Sequence, residues 1–304
     1  MTPQPGQLEA LVAIADHGSF EAAARVLHVT PSAISQRVRA LESLCGRVLV
    51  TRTAPCRPTE AGAAYVRLGR QTRLLYDEVR LETDPEDHVV PLTVVVNADS
   101  LATWFRDVLT TAGTWDDTAL RLRVEDQAYS AGLLRRGDVV AAVTSDPTPV
   151  QGCAVETLGV LRYGAAATPA FVERWRRGRA MDWERMPVVV FNDKDGLQHE
   201  VLAARGVSPR VVHQVPTSTD FHEAARRGLG WCLVPEPQLL PDLGAGRLVR
   251  LPGRPETTQV DVPLFWQRWR LDSPALTRLT DAVHAAARTH LRGTDRKPPG
   301  NLSH

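Results

Sequence analysis

Ser32, Ser35, Gln36, Arg39 and Ser43 are the residues of this chain whose types and spacing most clearly permit chemistry with a partner. On a wheel of about 100° per residue with Ile34 at the origin they gather on one side, while Val38, Leu41 and Leu44 stay within about 80° of Ile34 on the other. The polar side offers hydroxyls, a carboxamide and a guanidinium, all able to donate to base edges or phosphate oxygens, and no carboxylate interrupts it before Glu42. One face is suited to packing and the other to touching nucleic acid. An amphipathic helix with a polar outer face is common on any protein surface, so the neighbouring elements decide between the two readings.

Those neighbours are consistent with a helix-turn-helix. Gly18 can end one helix and Ser19 can cap the next, in which Phe20, Ala23, Ala24 and Leu27 share a face. His28 and Val29 form a tight turn, Thr30 supplies an N-cap hydroxyl, and Pro31 sits at the first helical position, where its missing N–H has no consequence. Leu8, Leu11, Val12 and Ala15 place a further helix over residues 8–17, completing a three-helix core. After Gly46, residues 48–51 read as a strand and the chain turns back so that Arg57 lies beside Arg52, making a small hairpin, or wing. Arg52 and Arg57 are candidates for phosphate or minor-groove contacts, and Arg37, on the flank of the polar helix, for a phosphate contact.

Pro58 and Thr59 start a long helix with Glu60 in its first turn, reaching about Glu82. At ~1.5 Å per residue it is roughly 35 Å long. Ala61, Tyr65, Leu68, Thr72, Leu75 and Val79 recur along it in alternating steps of four and three, the seam of a coiled coil, so the helix is expected to dimerise the chain. A dimer presents two recognition helices to successive major grooves of a two-fold related site.

Ser19-Phe20, Ala23-Ala24, Leu27, Ala33-Ile34-Ser35, Leu41-Glu42, Leu44, Gly46, Leu49 and Arg52 together resemble the N-terminal domain of the LysR-type transcriptional regulators. The resemblance implies DNA binding through Ser32, Ser35, Gln36, Arg37, Arg39, Arg52 and Arg57, and dimerisation through Tyr65, Leu68, Thr72, Leu75 and Val79. Two positions depart from the pattern: Pro31 stands where the family usually has Gln, and Val50 where it usually has Phe. The DNA contact made from the first of these is therefore not carried over.

With 304 residues there is room for two or three compact units. Hydrophobic content of 43% and charged content of 23% are those of a globular protein, and no run approaches the ~18 apolar residues that span a bilayer. The N-terminal stretch lacks the basic start and uninterrupted apolar core of a signal peptide, so the chain is expected in the cytoplasm. Net charge is only +1, but residues 1–58 carry six arginines against four acids, with the arginines gathered from the recognition helix onward. Cys45, Cys56, Cys153 and Cys232 form no CxxC pattern and have no His at ligand spacing, so neither a metal nor a disulfide framework is expected. No Ser/His/Asp order, paired carboxylate, P-loop or HExxH occurs, so neither catalysis nor a cofactor is expected.

Residues 83–91 are acidic, proline-bounded and aperiodic, and mark a hinge. Beyond them short apolar runs alternate with helical patterns: strands at 92–96, 120–124, 139–144 and 156–165, helices at 100–112 and 127–136. A second round brings helices at 169–177, 197–204 and 219–227 and strands at 188–191, 211–215 and 231–234. A strand at 262–269 and a helix from Ser273-Pro274 to about Leu291 follow. The fold class is α/β: two α/β lobes, the first of about 92–163 and 265–292 and the second of about 164–264, with crossings near 164 and 264. The expected domains are 1–58, a winged helix-turn-helix; 59–82, a linker and dimerisation helix; 83–91, a hinge; and 92–304, an effector domain. Two lobes with a double crossover resemble the periplasmic-type solute-binding fold that the LysR family uses for its effector. GLGWCLVPE at 228–236 and LGAGRLVRL at 243–251 extend the resemblance over nearly the whole chain.

Ligands of open α/β sheets sit at the carboxyl ends of strands. Here those ends carry Asp99 and Ser100, Asp126, Thr144 and Ser145, Asn192 and Asp193, and Thr217, Ser218 and Thr219. Ser100 is expected to cap the helix after the first strand and to hold a carboxylate there. A set rich in acids and hydroxyls suits a small zwitterion carrying a further cation better than an acidic ligand. VNADSLATW at 96–104 and VEDQ at 124–127 resemble the LysG/ArgP subgroup of the family, which senses lysine or arginine and activates a basic-amino-acid exporter gene.

The expected protein is thus a sequence-specific regulator whose partners are double-stranded promoter DNA, lysine or arginine, RNA polymerase and further copies of itself as a homodimer or dimer of dimers, with no membrane partner. Two alternatives stay open: an architectural protein of chromosome or replication-origin DNA, a role also attached to this subgroup, and a solute-binding or catalytic protein with an incidental helical cap.

Overall fold

A computed structural model describes residues 2–86, 88–125, 127–192 and 196–293, without the side chains of residues 127–129. The chain forms two compact units: Met1–Val96, Thr111–Glu156 and Trp266–Asp281 make the first, and Asn97–Thr110, Thr157–Phe265 and the residues from Ala282 onward the second.

The first unit opens with α1 (Pro5–His17), α2 (Phe20–Val26) and α3 (Pro31–Cys45). Ser19 caps α2 by accepting the Ala22 amide at 3.0 Å, and Thr30 caps α3 by accepting the Ala33 amide at 3.2 Å. Gly18 and Gly46 end α1 and α3 at φ of 72° and 65°, a left-handed conformation that glycine adopts without strain. Leu11, Ile14, Ala23, Ile34, Val38 and Leu41 form the core between the three helices. α1 begins three residues before the expected Leu8, with Pro5 in its first turn.

β1 (Val50–Thr51) pairs antiparallel with β2 (Arg57–Pro58), placing Thr51 opposite Arg57. Glu42 Oε1 accepts the Leu49 amide at 2.8 Å, and Thr59 donates its hydroxyl to the Val48 carbonyl at 2.8 Å, so the hairpin is tied to α3 behind it and to the helix ahead. That helix is α4 (Glu60–Thr83), capped by Thr59, which accepts the Gly62 amide at 3.0 Å. α4 buries Gly62, Val66, Gly69 and Leu74 and packs along α1. The approach is close enough to require glycine: a Cβ at Gly62 would lie 1.9 Å from the Leu49 carbonyl oxygen, and one at Gly69 would lie 2.8 Å from Val12 Cγ2.

β3 (Val90–Val96) follows, then α5 (Ala98–Ala102) and α6 (Arg106–Ala112), β4 (Thr118–Val124), α7 (Gln127–Arg136) and β5 (Ala141–Thr144). β3 pairs parallel with β4 and with β5, the arrangement that alternating strands and helices predict. The single helix expected over 100–112 is two. Trp104 and Phe105 between them are fully buried and pack edge to face with centroids 5.5 Å apart, and the backbone leaves helical geometry at Thr103 to seat them.

β6 (Cys153–Ala167) runs from the first unit into the second, which continues with α8 (Pro169–Trp175), the ribbon of β7 (Arg176–Arg177) and β8 (Ala180–Met181), and β9 (Val188–Val190). α9 (Gly196–Ala203), β10 (Val212–Gln214), α10 (Ser218–Arg226), β11 (Cys232–Pro235), α11 (Glu236–Gly244), β12 (Val249–Arg250) and α12 (Pro255–Thr258) follow. Here β9 and β10 pair in parallel, and β11 and β12 pair antiparallel with β6. β13 (Gln259–Trp269) returns to the first unit, and α13 (Pro274–His290) ends the described fold. The chain changes unit near 157 and 266, where the sequence suggested 164 and 264, and residues 97–110 and those from 282 belong to the second unit. α11, with Pro241 inside it, had no counterpart in the sequence reading.

Candidate functional site

On α3 the packing face is Ile34, Val38 and Leu41, all buried. Ser32, Gln36 and Arg39 are exposed on the opposite face, with Ser35 and Arg37 half-buried at its edges. Ser32 is drawn into the cap, its hydroxyl 2.9 Å from that of Thr30. The Arg37 guanidinium lies over the first turn of α1, where a Cβ built on Gly6 would be 3.6 Å from its Cζ. In the wing, Arg52 is exposed with its guanidinium carbon 5.5 Å from the Phe20 ring centroid, and Arg57 is exposed beside Thr51. No carboxylate among the described residues pairs with Arg39, Arg52 or Arg57, which leaves their charge available for phosphates or bases.

The linker helix presents a second apolar stripe besides the one packed on α1. Leu68, Leu75 and Val79 are exposed on it and Thr72 is half-buried, whereas Tyr65, also expected on this seam, packs against the core of the three N-terminal helices. Large exposed aliphatics in a row are unfavourable in water and mark an unfilled contact surface.

In the second unit, the residues after the first strand differ from expectation. Asn97, not Ser100, caps α5: its Oδ1 accepts the Ser100 amide at 2.7 Å. The strand ends at Val96, so Asn97 falls at the cap and Ser100 two residues inside the helix; asparagine and serine both cap well, and the strand boundary places the asparagine there. Ser100 is consequently fully buried, and its hydroxyl has no hydrogen-bond partner among the described residues. A buried hydroxyl without a partner is disfavoured by roughly 1–3 kcal/mol, which a bound polar ligand would recover. Beside it, Asp99 accepts the Tyr163 hydroxyl at 2.8 Å, a bond that orients the carboxylate. Neither Asn97 nor Tyr163 stood out as a site residue in the sequence; Asn97 carried a capping signal, and Tyr163, 64 positions away, carried none.

α5 lies against α10, so within the second unit the Asp99 and Ser100 segment neighbours the helix that Thr217 caps. Thr217 accepts the Asp220 amide at 3.3 Å and donates to Asp220 Oδ2 at 2.5 Å; Ser218 is half-buried and Thr219 exposed. Asn192, half-buried, also belongs to this unit. Thr144 and Ser145 belong to the first unit, where Thr144 is buried and accepts the Asp146 amide at 3.0 Å. Asp126 and Asp193 lie outside the described residues.

A helix-turn-helix with a wing, a long helix and an α/β domain define a class, and the comparisons agree with it. Residues 5–63 match the bacterial regulatory helix-turn-helix of the lysR family, and residues 78–288 match the LysR substrate binding domain. The chain belongs to the LysR family of regulators. Within that family it is 47% identical over 291 residues to the lysine export transcriptional regulatory protein LysG of Corynebacterium glutamicum, covering 95% of this chain and 99% of that one. The solved structure of full-length C. glutamicum LysG with bound effector Arg superposes with a TM-score of 0.83 at 46% identity, over 95% of this chain and 99% of that one. ArgP from Mycobacterium tuberculosis superposes with a TM-score of 0.86 at 44% identity, over 96% and 100%. These relatives are transcriptional regulators, and no helix among the described residues is long and apolar enough to cross a membrane.

Proposed function

We propose that this chain is a sequence-specific DNA-binding regulator that responds to a basic amino acid, lysine or arginine, and activates the gene of an amino-acid exporter. The observation that carries the reading is the likeness over almost the whole length to LysG, a lysine export regulator whose structure holds arginine. The orphaned hydroxyl of Ser100 beside the Tyr163-oriented Asp99 supports it, because an α-amino acid offers an acceptor for the first and a cation for the second.

The roles divide along the chain. Residues 1–58 read DNA, with Ser35, Gln36 and Arg39 on bases and Ser32, Arg37, Arg52 and Arg57 on the backbone. Residues 59–82 dimerise through Tyr65, Leu68, Thr72, Leu75 and Val79, and the hinge is the connection between α4 and β3, shorter than the expected 83–91 because Thr83 is helical and Val90 and Pro91 are in the strand. Residues 92–304 hold the effector, using Asp99 and Ser100 together with polar groups drawn from Asn192, Thr217, Ser218 and Thr219 of the same unit. The protein acts in the cytoplasm, without catalysis or cofactor, by altering how promoter-bound dimers or dimers of dimers engage RNA polymerase.

Titrating lysine and arginine into complexes of the full chain with the DNA upstream of its own gene tests this. A preference of ~10³-fold or more over bulk DNA, with an effector-dependent footprint, is expected. Binding without sequence preference would replace the proposal with an architectural role, and absence of DNA binding would remove both.

A further inference from the structure

Within the first unit α4 has three faces. Val66 and Gly69 pack on the N-terminal helices, and Leu68, Leu75 and Val79 are exposed. Arg67, Arg70, Leu74 and Glu78, spaced three or four apart, share the face turned to the α/β part of the unit.

Arg70 stands where the first and third of these faces meet. Its largely buried guanidinium splits between them: Nη2 donates to Asp16 at the end of α1, whereas Nη1 donates to Asp138 Oδ1 at 2.6 Å and to the Arg136 carbonyl at 3.2 Å. Arg136 Nε donates to the other oxygen of Asp138 at 2.8 Å, so that carboxylate is held from two sides. A planar fork whose two nitrogens serve different partners suits arginine. Beside it backbone meets backbone: Gly137 has a φ of 74°, and a Cβ there would lie 2.9 Å from Arg67 Cα. Away from these ties the junction is loosely filled, with a cavity of about 380 Å³ between Val12, Leu74, Thr93 and Val140.

Asp138 leads directly into the sheet. Val140 donates its amide to the Thr93 carbonyl at 2.8 Å, and β5 pairs with β3 through Val94 and Val95. β3 ends at Val96, and Asn97, Asp99 and Ser100 of the proposed effector segment follow it in the chain. A contiguous series of packed and hydrogen-bonded groups therefore runs from α1 through Arg70 and Asp138 to β5 and β3, the kind of network that can carry coupling between sites.

We propose that Arg70 is the positioning residue that couples the DNA-reading helices to the α/β part of the first unit, so that a change on either side is felt on the other. The proposal rests on the DNA-binding reading above and is independent of which ligand the effector segment takes. Coupling is reciprocal, so DNA acts on the sheet as the sheet acts on DNA.

Hydrogen exchange read by mass spectrometry on the full chain, with and without saturating DNA from upstream of its own gene, tests it. In the parent, DNA should slow exchange of residues 134–140 by about fivefold or more. In Asp16→Asn, which leaves Arg70 paired with Asp138 and cuts the charge tie to α1 alone, the slowing should fall below about twofold, and likewise in Arg70→Gln. Asp16→Asn decides the matter if Arg70→Gln does not fold. A merely structural role would speed exchange in the free variants and leave the DNA-dependent ratio as in the parent, which would overturn the coupling; so would a parent whose residues 134–140 do not respond to bound DNA. A parent that shows the DNA effect but no response to lysine or arginine would uphold the coupling and overturn the effector assignment alone, whereas a parent that does not bind DNA would overturn both.

Discussion

Glu78 of α4 accepts a hydrogen bond from the Ser273 hydroxyl at 2.5 Å and another from the Ala275 amide at 3.1 Å, so a carboxylate of the linker helix caps the N-terminus of α13. Glu78 is buried, and the two residues are 195 positions apart. A negative group at a helix N-terminus meets both the free amides and the positive end of the dipole. Arg67 and Arg70, earlier on α4, donate to the carbonyls of Arg135 and Arg136 at 3.3 and 3.2 Å, so the linker is fastened to the α/β part at both ends.

Glu78→Ala should therefore destabilise the folded chain by about 1–3 kcal/mol, because it strands a buried hydroxyl and a buried amide. Denaturant unfolding monitored by tryptophan fluorescence reads this directly. A midpoint equal to that of the parent would mean that the cap contributes nothing to stability.

Gln36→Ala and Arg39→Ala remove exposed donors from the middle of the outward face of α3. Each should reduce discrimination between the cognate site and altered sites by ~1–3 kcal/mol. Competition binding on a set of single-base variants measures it. Equal losses on cognate and random DNA would reassign these side chains to the backbone.

Arg52→Ala and Arg57→Ala should instead weaken binding to all sequences and flatten the slope of log affinity against log salt by roughly one unit each, the signature of a lost phosphate contact. An unchanged slope would take the wing out of the DNA interface.

The architecture was legible where local chemistry decides it. Ser19, Thr30 and Pro31 announce helix starts that hold in three dimensions, and the seam spacing of residues 61–79 identifies the long helix. The cap of α5 was misplaced at Ser100, because Asn97 caps equally well and only the end of β3 ranks the two. The break between α5 and α6 arises from burial of Trp104 and Phe105, which is a tertiary demand. The Asp99–Tyr163 and Glu78–Ser273 contacts join residues 64 and 195 apart, and nothing in the local sequence of either partner encodes the other.

Asp242 in the second unit offers a pH test. It is fully buried; burial would raise its pKa, but hydrogen bonds from Arg226 at 2.8 Å, Arg247 at 2.6 Å and His222 at 2.7 Å more than offset this and lower it to about 2. The folded state therefore holds its proton less readily than the unfolded one, so this stability is complete above about pH 4 and is lost as pH falls toward 2. It amounts to about 2 kcal/mol at ~1.4 kcal/mol per unit of pKa. His222 shifts in the same sense: burial and then Arg226 depress its pKa, against Asp242, so protonating it below its ordinary pKa also weakens the fold. Chemical unfolding at pH 7, 4 and 2.5 should show this acid loss in the parent and a smaller one in Asp242→Asn, whose starting stability is lower because Arg226 and Arg247 lose their partner. Parallel acid profiles would show that the cluster does not govern the response.

Ser100 and Asp99 make opposite predictions for ligand selectivity. The Ser100 hydroxyl is buried without a partner, and a ligand α-carboxylate would supply its acceptor; Ser100→Ala should then weaken every amino acid that binds, by about tenfold or more, whatever its side chain. Asp99 is oriented by Tyr163 and carries the charge suited to a ligand cation. Asp99→Asn keeps an acceptor for the Tyr163 hydroxyl while removing that charge, so it should weaken lysine and arginine selectively. Calorimetry of the full chain with lysine, arginine, glutamate and leucine separates these effects. The parent should bind the two basic amino acids and reject the others, because glutamate would bring like charge to Asp99 and leucine would bring no cation to it. Glutamate binding more tightly than lysine would overturn the effector assignment and leave the DNA-binding reading intact.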